Sequence, residues 1–124
     1  MAEIKETKKE EKVVKPIILK GTNNNDIFVL EFNRDTVKYA EGRGFTLDAL
    51  NSMNMSAMED IFCYAFRMHQ PKMSKADTDK ILYEKLCGMP EGMLERLVDL
   101  YVLPFETLVQ TEESAKNATM TVEL

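Results

Sequence analysis

Between Ser56 and His69 apolar residues recur with a helical period, and this stretch predicts the helix around which the rest of the chain folds. At about 100° per residue, Met58, Ile61, Phe62, Ala65, Phe66, Met68 and His69 fall on one broad side. Glu59, Asp60, Cys63 and Arg67 fall on the other. Asn54 or Ser56 can cap the start, Glu59 and Asp60 suit the positive end of the helix dipole, and Gln70-Pro71 stops it.

The pattern changes period on the N-terminal side. Val13 to Leu19 is rich in β-branched residues, with Pro16 favouring a sheet edge because it cannot donate to a ladder. Gly21 to Asp26 collects turn residues, and Ile27 to Phe32 alternates so that Phe28, Leu30 and Phe32 share a face while Glu31 points to water. Together they predict an antiparallel hairpin. Asn33 then caps a short helix over 34–43, ended by Gly42 and Gly44, and Thr46 to Leu50 can turn once.

Beyond the central stretch, Ser74 caps a helix from Lys75 to about Cys87 with Ile81, Leu82 and Leu86 on its dry side. Pro90 opens a last helix from Glu91 to about Gln110, with Met93, Leu94, Leu97, Leu100, Tyr101 and Leu108 as its stripe. Pro104 lies inside it and should kink or divide it. The expected fold is α+β, an N-terminal antiparallel β-hairpin packed on a bundle of about four helices.

The flanks differ in composition. Residues 1–12 are charged with almost nothing apolar, which predicts a disordered arm, and residues 111–124 are mostly polar, which predicts a flexible acidic tail. Residues 13–110 are left as a single α+β domain, in line with a length of 124 residues. The 16 basic and 21 acidic residues give a net charge of −5, which opposes binding to nucleic acid or anionic lipid. No apolar run approaches the roughly 18 residues of a membrane span, and the start lacks a signal-peptide core, so a cytoplasmic location is expected.

Candidate chemistry is sparse. His69 is the single histidine, and Cys63, six residues earlier, lies about 240° round a helix from it, so the two cannot form a base and nucleophile pair there. Cys63 and Cys87 lack a short metal-ligand spacing and read as free thiols. Glu41-Gly42-Arg43-Gly44-Phe45 lacks the Gly-Lys-Ser/Thr of a phosphate loop and follows a helix, so it reads as a helix stop. No catalytic, cofactor or metal site is expected, and the chain reads as non-enzymatic.

Nine methionines are the compositional oddity. Flexible thioethers serve as core filler or as an adaptable binding surface. Met53, Met55 and Met73 fall in expected loops, and Val102 and Leu103 fall off the stripe of the last helix. Together with Met93 they form the expected protein-binding set, because the apolar residues outnumber what one small core needs.

Phe28-Val29-Leu30-Glu31-Phe32-Asn33-Arg34-Asp35-Thr36-Val37-Lys38, followed by Glu41 and Gly44-Phe45, resembles a family of tail assembly chaperones from tailed phages and prophages of Gram-positive bacteria. The likeness continues through Ile61 to Phe66 and the Lys75 to Leu86 helix. It implies a non-enzymatic protein that binds the tape measure protein, holds it soluble in the host cytoplasm and helps recruit tail tube subunits. Two other readings stand beside it, and a homo-oligomer is compatible with all three. The helices flanking Gly88 have the order of a helix-turn-helix DNA-binding regulator, although Glu91, Glu95 and Asp99 would face phosphates. A structural virion adaptor subunit is the other.

Overall fold

The computed structural model describes residues 13–23, 26–52 and 54–124. A hairpin of β1 (Ile17–Lys20) and β2 (Ile27–Leu30) comes first, then α1 (Arg34–Gly42), α2 (Asp48–Asn51) and α3 (Met55–Phe66). The chain continues through α4 (Lys75–Lys80), a π-helical turn (Ile81–Lys85), α5 (Met93–Val102), a 3-10 segment (Leu103–Leu108) and α6 (Glu112–Asn117). The architecture is α+β, a two-stranded antiparallel hairpin on a set of helices. The expected arm over 1–12 lies outside the described residues.

Helix α3 is the central element. Asn54 Oδ1 accepts the Ala57 N–H at 3.1 Å, and Ala57, Ile61, Phe62, Ala65 and Phe66 are buried on a single stripe. The helix ends before the expected His69. Arg67 N–H reaches back to Tyr64 and His69 N–H to Phe66, three residues each, tightening the last turn ahead of Pro71. That change of pitch takes His69 off the dry side and leaves it exposed. Cys63, expected on the wet side, is half-buried.

The hairpin pairs Ile17 with Leu30 and Leu19 with Phe28. Alternation sends Phe28 and Leu30 inward, with Phe32 on the same side just past the strand, and the Phe28 ring meets Phe66 edge-on at 5.6 Å. β1 starts only after Pro16, so it is shorter than the expected Val13 to Leu19. At the turn, Gly21 N–H donates to Asp26 O at 2.7 Å. A Cβ on Gly21 would lie 2.6 Å from Asp26 Cβ, so this close approach needs glycine. Glu31 does not simply face water, because its Oε1 lies 2.7 Å from His69 Nε2 and its N–H donates to Ala65 O at 3.1 Å.

The rest of the core is closed by α5, whose Met93, Leu97, Leu100 and Tyr101 are buried against the α3 and hairpin side. Tyr101 stacks edge-on with Phe32 at 5.0 Å and Phe45 at 5.3 Å. The expected helix from Lys75 to Cys87 is in fact α4 followed by the π turn, where Leu86 N–H donates to Ile81 O at 2.8 Å. Cys87, Gly88 and Gly92 all have positive φ, so α5 starts at Met93 instead of Glu91. It ends at Val102, where the Leu103–Leu108 segment with Pro104 takes over in 3-10 geometry. In the tail, Thr111 and Ser114 form a capping box that opens α6, a short exposed helix where only a flexible segment was expected.

Candidate protein-binding surface

Among the described residues, apolar surface left uncovered is concentrated after Val102. In α5 the stripe repeats at about 100° per residue, whereas a 3-10 helix advances about 120° per residue, so six residues of it slip the phase by about a third of a turn. The slip carries Leu108, predicted to continue the stripe, out of the core, where it is 72% exposed. Phe105, 38% exposed, keeps one edge toward the core through Tyr101 at 6.0 Å.

Facing this segment is α1. Asn33 fixes the start of that helix: its Oδ1 accepts the Thr36 N–H at 2.9 Å, and its own N–H donates to Thr36 Oγ1 at 2.8 Å. Val37 and the 3-10 residues Pro104, Phe105 and Leu108 then line a cleft of about 230 Å³. Arg34, Lys38 and Glu41 form its polar rim. Arg34 Nε donates to Thr107 Oγ1 at 3.1 Å, and Thr107 Oγ1 donates to Pro104 O at 2.7 Å, which ties the two walls together. The result is an apolar trough with two cations and one carboxylate on the rim, suited to the apolar stripe of a helix.

A second cleft, of about 390 Å³, lies between α1, α3 and the start of α4 and is polar. The Arg67 guanidinium sits 3.6 Å above the Tyr39 ring centre and Arg43 at 5.0 Å, a pair of cation-π contacts. Burial pushes the Asp60 carboxyl above its ordinary range and pushes the Cys63 thiol up as well, which keeps that thiol protonated at neutral pH. Next to it, Lys75 Nζ bridges Glu59 at 3.1 Å and Asp79 at 3.0 Å. The Tyr83 hydroxyl also donates to Glu59, and this bond, ahead of Lys75, holds the Glu59 carboxyl below its ordinary range. These groups join α3 to α4. Among the described residues no group of three or more His, Cys, Asp or Glu is arranged to hold a metal ion.

The residues expected to bind protein are dispersed. Met55 is 69% exposed at the start of α3, and Met73 is half-buried on the wall of the polar cleft. Met93, the first residue of α5, lies in the core and is 8% exposed, so it shows only an edge in the groove beside β1. Val102 and Leu103 are half-buried at the junction of α5 and the 3-10 segment, beside the cleft but not lining it. Met53 lies outside the described residues. Sequence reasoning missed Val37, Phe105 and Leu108 as a group, although Pro104 already signalled that a helical stripe could not run through them.

The family described as a domain of unknown function, DUF5055, matches residues 7–124, nearly the whole chain, and the protein belongs to it. The match takes in the acidic tail and α6 together with the folded body. No curated protein and no solved structure matches the chain.

Proposed function

We propose that this member of the DUF5055 family is a non-enzymatic tail assembly chaperone of a tailed phage or prophage. In this reading it works in the host cytoplasm, binds the tape measure protein, holds that protein soluble and helps recruit tail tube subunits. The observation that carries the reading is the apolar trough between α1 and the 3-10 segment, with Leu108 and Phe105 exposed along it. A tape measure protein that is rich in long amphipathic helices presents apolar stripes that aggregate unless covered, and a trough of this kind covers one such stripe. Arg34 and Lys38 on the rim favour a helix whose flanks are acidic, despite a net charge of −5 for the whole chain. Among the described residues no helix is long and apolar enough to cross a membrane.

The test is co-expression with the tape measure protein encoded in the same gene cluster. The tape measure protein should move from the pellet to the soluble fraction and co-purify, and Leu108→Lys should abolish both while the chaperone itself stays folded. An insoluble tape measure protein in the presence of the wild-type chain would overturn the reading.

A further inference from the structure

Among the described residues the hairpin has one open edge. Because Gly21 N–H donates to Asp26 O, the alternation of an antiparallel pair turns the N–H and C=O of Leu19 and Ile17 toward β2 and those of Ile18 and Lys20 away from it. Among the described residues nothing hydrogen-bonds the outward backbone of Ile18 or Lys20, whereas β2 turns its far side to α3 through Glu31 and Ala65. Along that edge runs a groove of about 410 Å³ between Pro16–Leu19 and the start of α5, with Met93 in its lining. Two strands alone make a marginal sheet, and an unprotected edge is a template for a further strand.

A segment with the matching pattern is present at the other end of the chain. After α6 the backbone turns extended at Ala118, with φ −73 and ψ 140. From there Ala118, Met120, Val122 and Leu124 alternate with Thr119, Thr121 and Glu123, the period-2 pattern of a half-buried strand. Yet Met120 is 84% exposed and Val122 80%, so among the described residues nothing covers this apolar side. Charge agrees with the pattern. Lys15, Lys20 and Arg96 flank the edge, with Glu91 the single carboxylate in the groove lining, and the segment carries Glu123 and no basic residue.

We infer that residues 118–124 of one molecule add as a third strand to the free edge of β1 in a second molecule, linking copies of this chain. The inference is independent of the proposed function. The incoming strand bonds the outward groups of Ile18 and Lys20, and Met120 and Val122 turn into the groove beside Ile17 and Met93. Register is set by the alternation, since a slip by one residue would put threonines in the groove. Pro16, which has no N–H to offer, marks where pairing stops.

Light scattering on the full chain after size exclusion, over a series of concentrations, should show association that is lost on deleting residues 118–124. Val122→Lys, which puts a charge where the apolar side of the strand enters the groove, should weaken it by about tenfold or more. Adding a synthetic peptide of residues 118–124 to the truncated protein should slow amide hydrogen exchange at Ile18 and Lys20. Three results would overturn the inference: a full chain that stays monomeric at the highest concentration, association that survives the truncation, or protected Ile18 and Lys20 amides in a monomer, which would mean that the tail folds back on its own body.

Discussion

Met93–Val102 and Leu103–Val109 are consecutive, similarly rich in apolar residues and opposite in fate. The first, α5, buries Met93, Leu97, Leu100 and Tyr101. The second buries nothing, and leaves Phe105, Leu108 and Val109 exposed. Composition does not separate them; backbone pitch does. One proline ends the α-helical register, the phase slips, and side chains that a continued helix would have sealed are set against α1 as the wall of a trough. A leucine or phenylalanine left in water forgoes about 1.5–3 kcal/mol of burial, which a partner helix can recover.

The largest effect should come from cutting the sealed side. Leu97 is fully buried, so Leu97→Ala should cost about 2–5 kcal/mol, through lost burial and the cavity left behind. Leu108→Ala, a change of the same chemistry eleven positions later, should stay within about 0.5 kcal/mol because the site is already wet. Urea unfolding of the two variants reads the difference directly. Equal midpoints would mean that the 3-10 segment is packed in solution and the contrast between the two stretches is false.

Next in size is the effect on capture. Leu108→Lys should weaken tape measure binding by about 2 kcal/mol or more if Leu108 is an anchor of the interface. Its urea midpoint should match the wild type. Loss of both together would assign Leu108 to the fold and mean that the trough is not the binding surface.

Asn33→Ala should come third, at about 1 kcal/mol, since it removes the cap of α1. This substitution sharpens the contrast in a different way. It leaves the apolar wall of Phe105 and Leu108 intact and loosens the opposing wall, so any fall in capture reports on the need for α1 to be held in place. Circular dichroism with the binding assay separates a frayed helix from an unfolded chain.

Much of the sealed half was legible because its signals are local. Phe28, Leu30 and Phe32 alternate, Ile61, Phe62, Ala65 and Phe66 repeat with helical spacing, and Asn33 and Ser74 are side-chain caps beside the helices they start. The pairing of Glu31 with His69 joins residues 38 apart, and no local pattern reports it. The π turn over Ile81–Lys85 is not legible either, since its sequence has good helix formers and Ile81 and Leu82 are buried as they would be in an α-helix. In the surface half the missing information is phase: the helical period puts Leu108 on the stripe only if the pitch is unchanged through Pro104, and there it becomes 3-10. The α6 cap is written in Thr111-Glu112-Glu113-Ser114, but no apolar period follows it to mark a helix.

The smallest effect concerns acid, and it should fall on the α3–α4 side of the molecule alone. Glu59 is held below its ordinary value of 4.5 by the Tyr83 hydroxyl first and by Lys75 second. A carboxylate whose pKa is lower folded than unfolded stabilises the fold above the unfolded value, and that contribution disappears as pH falls through the lower, folded value. Asp60 works in the other direction: burial raises its pKa from 3.8, so its charge opposes folding at neutral pH and acidification relieves the strain. The two neighbours partly cancel, and the wild-type stability should decline only gently below about pH 4.5. Tyr83→Phe should remove the larger of the two stabilising partners of Glu59 and move its carboxyl titration up, toward the ordinary value, with Lys75 still in place. Carbon-detected NMR of the Glu59 carboxyl across that range measures the shift, and urea midpoints at pH 7 and pH 4 should lie closer together in Tyr83→Phe than in the wild type. A titration of Glu59 unmoved by the substitution would leave Lys75 as the partner that matters, and the contact between α3 and α4 would then rest on the ion pair.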